Sequence, residues 1–486
     1  MPTSKAVMNF GWVLLLLNWL IEADFVNKFR NFRTNYLLQA FLILTALYIV
    51  SMFWSSDWNY GLNDLRQKLP LFIIPLVVLT SAPLSKPRWA WLQLIYVTTV
   101  FVTSIIGLVR YLTIPDLPYR EIIPFISHIR FSLNVCLAIA IVIAALSRHQ
   151  SWVSRGLFLL LVGWFLAFLF LLQSYTGFVV MAVMGIVVAI ASRRRTWIVA
   201  MLIVLLGVVG ISGYFVYDYY HLDKISSQPL QASTQNGNPY THECDGFIES
   251  GNFISNYICE SELRSEWQQR SQYPIDSLTA TGYPLHGALI RYLNAMGLPK
   301  DSVGVSQLTA TDIVAIERGI ANPSYLHQGS LRKFYDALLF EYETMRHQSS
   351  ICDFTMLERF ELWRNGWQLI LQHPLFGVGT GDVLNVSHER LAEINSPLEG
   401  TTKTIHNQYL TFLLTFGFIG TLLILLFFIR AWWHHRPMPL LNIAFITIVL
   451  VSFINEDTFE TLAGVVFVAF WASVLSNQRK CINITH

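Results

Sequence analysis

The chain has 486 residues and a formal net charge of +2; residues of the set AVILMFWYC make up 53% and charged residues 13%, with a mean hydropathy of +0.46. Soluble domains carry roughly a quarter of their residues as charges, so the composition excludes an ordinary soluble protein, and so small a net charge gives no argument for a nucleic-acid partner. The 5 cysteines exclude a disulfide-dense scaffold.

A bilayer core of about 30 Å takes about 20 apolar residues as helix. In chain order the sequence predicts spans near 8–21, 36–53, 69–84, 89–112, 131–147, 156–173, 175–192, 197–216, 408–429, 438–454 and 459–476. The chain is thus expected to be an all-α polytopic membrane protein with about eleven transmembrane helices. The first stretch is followed by Asn18-Trp19-Leu20 and not by a small-residue cleavage site, so it is read as a retained helix. Lys28, Arg30 and Arg33 follow the first span, Lys86 and Arg88 the third, and Arg148 and Arg155 the fifth. Arg193 to Arg195 follow the seventh, Arg430 and Arg436 the ninth, and Arg479 and Lys480 the last. These clusters occupy every second loop, which places them together on the cytoplasmic side. The long segment 217–404 and the N-terminus then fall outside. An outside N-terminus leaves two readings: it is genuine, or a first helix precedes Met1.

The expected organisation is an N-terminal bundle over 1–216, a periplasmic loop domain over 217–404 and C-terminal helices over 405–486. The loop opens with a polar, turn-rich stretch around Gln228 to Asn238. Leu285, Leu289, Ile290 and Leu293 then recur at helical spacing, and Thr309 to Asp312 make a capped start ahead of Ile313 and Ile316. Further helices are expected over about 330–346 and 354–372, the latter ending at His373-Pro374. Cys244 and Cys259 either pair in an oxidising compartment or stay as free thiols; Cys352 is also external, and Cys136 is a small apolar packer.

On the helix over 354–372, Arg359, Trp363 and Trp367 share one stripe and Arg364 lies on another side. The run Gly377-Val378-Gly379-Thr380-Gly381 has no strand leading into it, so it is not a dinucleotide fingerprint. It either lets backbone approach a ligand closely or turns the chain back to the membrane. His406-Asn407 stands where the chain re-enters the bilayer, and imidazole accepts a proton near neutrality without special tuning. Gly417 and Gly420 suit close helix packing in lipid. His128 to Arg130, Asp57, Asp64, Arg66, Lys68, Ser174 to Thr176 and Asn455 to Asp457 fall at the same outer depth. Ionisable groups there are functional suspects, and each also reads as a solvated helix end.

Taken together, these residues resemble the O-antigen ligase and polymerase superfamily (Wzy_C), in particular its Bacteroidetes-type branch. The family pattern of His, then Asn, then Gly-x-x-Gly and a Thr is met by His406, Asn407, Gly417, Gly420 and Thr421. The upstream Arg-x-x-x-Trp helix and Pro-Leu-x-Gly-x-Gly are met by Arg359, Trp363, Pro374, Leu375, Gly377 and Gly379. Branch-like stretches include Asn18 to Leu20, Lys68 to Leu71, Gly297 to Ser306, Gly377 to Val383 and Asn455 to Thr458.

The resemblance implies a GT-C-like glycosyltransferase of the inner membrane in lipopolysaccharide biosynthesis, without metal or cofactor. Its donor would be an undecaprenyl diphosphate-linked glycan, and its acceptor lipid A-core, another glycan or a protein hydroxyl. His406 takes the role of base or acceptor-orienting group, and Arg359 that of diphosphate clamp. Arg130, Asn407, Arg364 and Glu456 are the substrate-binding candidates. Many relatives carry Ser-Arg at the sixth-to-seventh turn where this chain has Ser174-Tyr175, so Arg130 is the candidate for the missing cation. A polymerase or protein O-oligosaccharyltransferase shares this chemistry and differs in acceptor. A polysaccharide transporter or flippase predicts internal repeats and midplane charges, whereas here the polar groups gather at one face.

Overall fold

Each of the eleven apolar stretches coincides with a helix, the structure in which an apolar run in lipid satisfies its own backbone polar groups. The structure, a computed structural model, describes residues 4–114, 117–146, 151–193, 195–221, 230–242, 247–326, 331–346, 355–396, 398–400, 403–434 and 438–478. Arg148, Arg194, Arg436, Arg479, Lys480, Cys244 and Cys352 lie outside these residues. Among those described, 6 helices are long and apolar enough to cross a membrane, or 7 if one bent pair counts as a span. The chain is therefore a mostly helical, multi-pass membrane protein. It divides into two compact units, Met1–Met201 with Glu358–His486, and Leu202–Leu357.

The first unit begins with α1 (Lys5–Glu22) and α2 (Phe25–Thr34), bent by 119° at Ala23, whose φ is 49°. The basic loop expected after the first span is thus itself helical, and Lys28 is buried in it, its Nζ donating to the Trp19 carbonyl at 2.6 Å. Next come α3 (Tyr36–Val50), α4 (Trp58–Thr80) and α5 (Lys86–Thr113). Asp57 caps α4 through the Tyr60 N–H, so this helix starts well before the apolar run that betrays it in the sequence. Asp64, Arg66 and Lys68 lie in that extra length. Then follow α6 (His128–Leu146), α7 (Trp152–Leu171) and α8 (Tyr175–Ser192).

The second unit takes most of α9 (Arg195–Tyr220), followed by α10 (Glu260–Arg270), α11 (Leu285–Ala295), α12 (Ser302–Ser306), α13 (Ala310–Glu317) and α14 (Leu331–Arg346). The expected cap is present: Thr309 and Asp312 form a reciprocal capping box on α13. Trp267, Leu289, Tyr292, Leu293 and Ile316 form its core. Glu249, fully buried, accepts two hydrogen bonds of 2.9 Å from Arg291 and one of 3.1 Å from Asn322.

The first unit resumes with most of α15 (Thr355–Gln372), then α16 (Val383–Glu393), α17 (Gln408–His434), α18 (Leu440–Asn455) and α19 (Leu462–Asn477). Here α17 packs on α3, α18 on α8 and α6, and α19 on α4. Gly417 breaks α17, at φ 64° and ψ −173°. Below the break Phe428 meets Phe41 and Leu47 meets Gly420, antiparallel to α3. Above it Tyr409 Oη donates to the Leu450 carbonyl at 2.9 Å while Phe416 meets Tyr48, so the first half crosses from α18 to α3. Gly417 therefore serves a backbone break and not the straight helix–helix seam expected of it.

Candidate active site

The apolar run of α18 ends at Asn455-Glu456-Asp457-Thr458, and the turn these residues make gathers side chains from distant parts of the sequence. Arg359 Nη2, from α15, pairs with Glu456 Oε1 at 2.9 Å. Arg130 Nη2, from the start of α6, pairs with Glu456 Oε2 at 3.3 Å and donates to the Asp457 carbonyl at 2.8 Å; its Nη1 reaches Thr458 Oγ1 at 3.3 Å. One carboxylate thus bridges two guanidinium groups, all three side chains being nearly buried. Asn455 Nδ2 donates to Thr176 Oγ1 at 2.7 Å, which joins the sixth-to-seventh turn to the same place.

The loop ahead of α17 is fixed to this turn by its backbone. Asp457 Oδ2 accepts the His406 N–H at 2.7 Å, and Oδ1 accepts Thr411 Oγ1 at 2.7 Å. His406 has φ 55°, a conformation that costs a non-glycine residue free energy and persists only where its surroundings enforce it. Asn407 accepts the Tyr409 and Leu410 N–H groups at 3.0 and 3.2 Å, capping the helix. Gln408 Oε1 accepts the Phe459 N–H at 2.7 Å. The imidazole of His406 is half-buried. Burial pulls its pKa below the ordinary 6.5; Glu456 and Asp457 oppose this, and Arg359 and Arg130 add to it. A neutral imidazole near pH 7 is a proton acceptor.

The structure brings Arg130, Arg359, Glu456, His406 and Asn407 to one place. Arg364 stands apart, exposed on α15, and Ser174 caps α8 while donating to Ser132 at 3.0 Å. Asp457 is the residue that sequence reasoning undervalued. Its signal was present in the polar run interrupting two apolar helices, but nothing there shows that both of its oxygens are used on the His406 loop.

The glycine run serves backbone packing. Val378 and Gly379 donate to the Leu414 and Thr415 carbonyls at 2.8 and 3.0 Å, and Phe418 donates to that of Pro374 at 2.7 Å. These bonds satisfy carbonyls and an N–H group that the break in α17 sets free. A Cβ on Gly377 would stand 2.4 Å from the Leu414 oxygen, and one on Gly417 2.2 Å from that of Leu375. Asp382 accepts from the Ser56 and Asp57 N–H groups at 2.8 and 2.9 Å.

Two cavities adjoin the cluster. An apolar one lies between α3, α17, α18 and α19, with Tyr409, Phe453 and Phe459 among its walls. A small polar one is lined by Tyr48, Asp64, Lys68, Thr411, Thr415 and Glu460 among others. Lys68 Nζ is bonded there to Asp64 and, at 2.8 Å, to Glu460. The i,i+4 spacing of Asp64 and Lys68 was legible; Glu460 was not. Among the described residues no three His, Cys, Asp or Glu side chains are grouped to hold a metal ion.

No curated protein matches the chain. Residues 336–425 match the family model Wzy_C, O-Antigen ligase, a stretch that includes Arg359, the glycine run, His406, Asn407 and the break in α17. The chain is thus a multi-pass membrane protein that is similar, over residues 336–425, to the Wzy_C O-antigen ligase family.

Proposed function

We propose that this protein moves a glycan from an undecaprenyl diphosphate carrier to an acceptor hydroxyl at the outer face of the inner membrane, as an O-antigen ligase acting on lipid A-core. The observation that carries the reading is the convergence of Arg130, Arg359 and the His406 loop on one turn, Glu456 to Thr458. Eleven crossings, with 217–404 in the periplasm between helical parts 1–216 and 405–486, put that turn on the side where the flipped donor is presented. The closer likeness to the Bacteroidetes-type branch belongs to the same reading.

In the proposed reaction the acceptor oxygen forms a bond to the anomeric carbon as the bond from that carbon to the phosphate oxygen breaks. The diphosphate leaves with the electron pair, and the hydroxyl proton passes to the His406 imidazole, so atoms and charge balance. Arg359 and Arg130 offset the charge that builds on the leaving group. At rest the two arginines share the Glu456 carboxylate, a buried arrangement that costs desolvation. Glu456 therefore holds the guanidiniums in register until the diphosphate takes over part of that contact. Asn407 fixes the helix start beside His406, and exposed Arg364 meets the donor's outer phosphate or headgroup. The apolar cavity beside Tyr409 and Phe459 suits the lipid part of a substrate. No metal or cofactor has a part in these steps.

A deletion strain tests the reading through its surface glycans. Long chains absent from lipid A-core and retained on the carrier are the expected result. Core bearing single repeat units would instead mean a polymerase, and loss of glycan from proteins alone a protein O-oligosaccharyltransferase. Unchanged surface glycans would contradict all three.

A further inference from the structure

Helices shorter than about 12–15 residues are marginal in isolation, and α2 has 10. One face holds it to the bundle. Lys28 is buried and paired with Glu22 at 3.0 Å, Asn31 Nδ2 donates to the Thr80 carbonyl at 3.1 Å, and Phe32 packs on the core. The other face carries Phe25, Val26 and Phe29, which are 50%, 84% and 59% exposed. Arg30 and Arg33 border this apolar arc and are exposed as well. The Arg33 guanidinium lies 5.2 Å from the centre of the Phe29 ring. Of the carboxylates nearby in the chain, Glu22 is taken by Lys28 and Asp24 accepts from Asn27 at 2.8 Å.

The surroundings of α2 are basic too. From the Asp57 cap, α4 runs 23 residues to Thr80, about 35 Å of helix. Its far end, where α2 is bonded, therefore lies about one hydrocarbon thickness from Asp57. At that end Lys86 and Arg88, which open α5, are exposed, and so is Arg430, 4.5 Å from the centre of the Tyr36 ring. The stretches 22–36, 80–90 and 428–442 contain no acid besides Glu22 and Asp24. The bend of 119° sets α2 closer to perpendicular than to parallel with α1, the attitude of a helix lying in the membrane surface.

We propose that α2 is a binding surface for anionic phospholipid headgroups. Phe25, Val26 and Phe29 enter the acyl boundary, and Arg30 and Arg33 hold headgroup phosphates from its edge, where a guanidinium fork meets phosphate oxygens two at a time. The leaflet is the one at this end of the bundle, the cytoplasmic one in the topology proposed above. Nothing in this depends on the transfer reaction.

The test follows hydrogen–deuterium exchange of the peptide Phe25–Thr34 in the full-length protein, held in nanodiscs. One set of discs is phosphatidylcholine alone. The other contains about one third phosphatidylglycerol, an anionic surface to which each exposed basic side chain gains about fivefold in binding. Exchange in the wild type should be slower by about tenfold in the anionic discs, and the difference should shrink as salt is raised. A variant combining Arg30→Gln and Arg33→Gln should match the wild type in phosphatidylcholine, since both side chains are exposed, and should show no slowing in the anionic discs. Equal exchange of the wild type in the two lipids would overturn the proposal and leave the apolar arc to water or a protein partner. Full slowing in the double variant would overturn it as well, placing the anionic lipid at Lys86, Arg88 or Arg430 instead.

Discussion

Each unit of this molecule buries arginine against glutamate, and the two pairs are built differently. In the second unit Arg291 gives Glu249 two bonds of 2.9 Å and Asn322 adds a third at 3.1 Å. One cation serves one anion inside a closed network. In the first unit a single carboxylate, Glu456, is divided between Arg130 and Arg359 at 3.3 and 2.9 Å, beside a half-buried histidine in a strained backbone conformation. A buried ion pair by itself is weak evidence of function, because desolvation offsets much of its attraction. The informative features are the sharing of one anion between two cations and the strain nearby.

Substitution separates the two kinds of site. Arg359→Ala and Arg359→Lys should both slow transfer by about 10²–10³-fold, since losing an oriented donor to developing charge has that effect and lysine lacks the guanidinium fork. Arg130→Ala should be defective in the same assay. All three proteins should reach normal levels in the membrane. Arg291→Met should do the opposite, leaving Glu249 buried and unpaired at a cost of about 3–5 kcal/mol, with transfer falling only as folded protein falls. Wild-type transfer in Arg130→Ala at normal protein levels would reduce Arg130 to a helix-end charge.

Gly417→Ala ranks next. At φ 64° and ψ −173° a side chain costs about 1–3 kcal/mol, and its Cβ would meet the Leu375 oxygen at 2.2 Å. Lower thermal stability and a displaced glycine run are expected; an unchanged melting temperature would mean that the break in α17 does not depend on this residue.

These contrasts explain what was legible in the sequence. The apolar runs predicted where helices lie because burial in lipid leaves a backbone no alternative, and Thr309 to Asp312 predicted their own cap because capping is local. The break at Gly417 was not legible, since a glycine in an apolar helix fits a packing seam equally well, and only the carbonyls of Leu414 and Thr415 bonded to the glycine run reveal it. Likewise His406, Arg359, Arg130 and Glu456 were each visible as polar groups at one depth. That Glu456 bridges the arginines depends on tertiary placement across 97 residues for Arg359.

A smaller effect distinguishes the units by pH. Burial holds Lys300 at about 7, with Glu249 pulling the other way, and its Nζ donates to Asn294 at 2.7 Å. The folded form therefore gives up a proton that the unfolded chain keeps until its ordinary value near 10.5. Stability of Leu202–Leu357 should rise between pH 7 and pH 10. Lys300→Met should flatten that rise in chemical denaturation of the full chain, read by a fluorophore on this unit. Equal slopes for the two proteins would remove Lys300 from the account. Smallest of all, Arg364→Ala should change transfer by about threefold at most, because an exposed cation contributes little; a loss as large as that of Arg359→Ala would place Arg364 inside the clamp.

The central claim is that the neutral imidazole of His406 takes the acceptor's proton. It is tested most directly by the rate of transfer from purified undecaprenyl diphosphate-linked donor across pH 5–8, with wild type and His406→Gln compared at matched folding. Because burial lowers the imidazole pKa, the wild-type rate should hold through pH 6.5 and fall only below it. The Gln variant should be slower by about 10²–10⁴-fold and flat with pH, with donor binding retained. A Gln variant as fast as wild type, or one with the same acid limb, would contradict it.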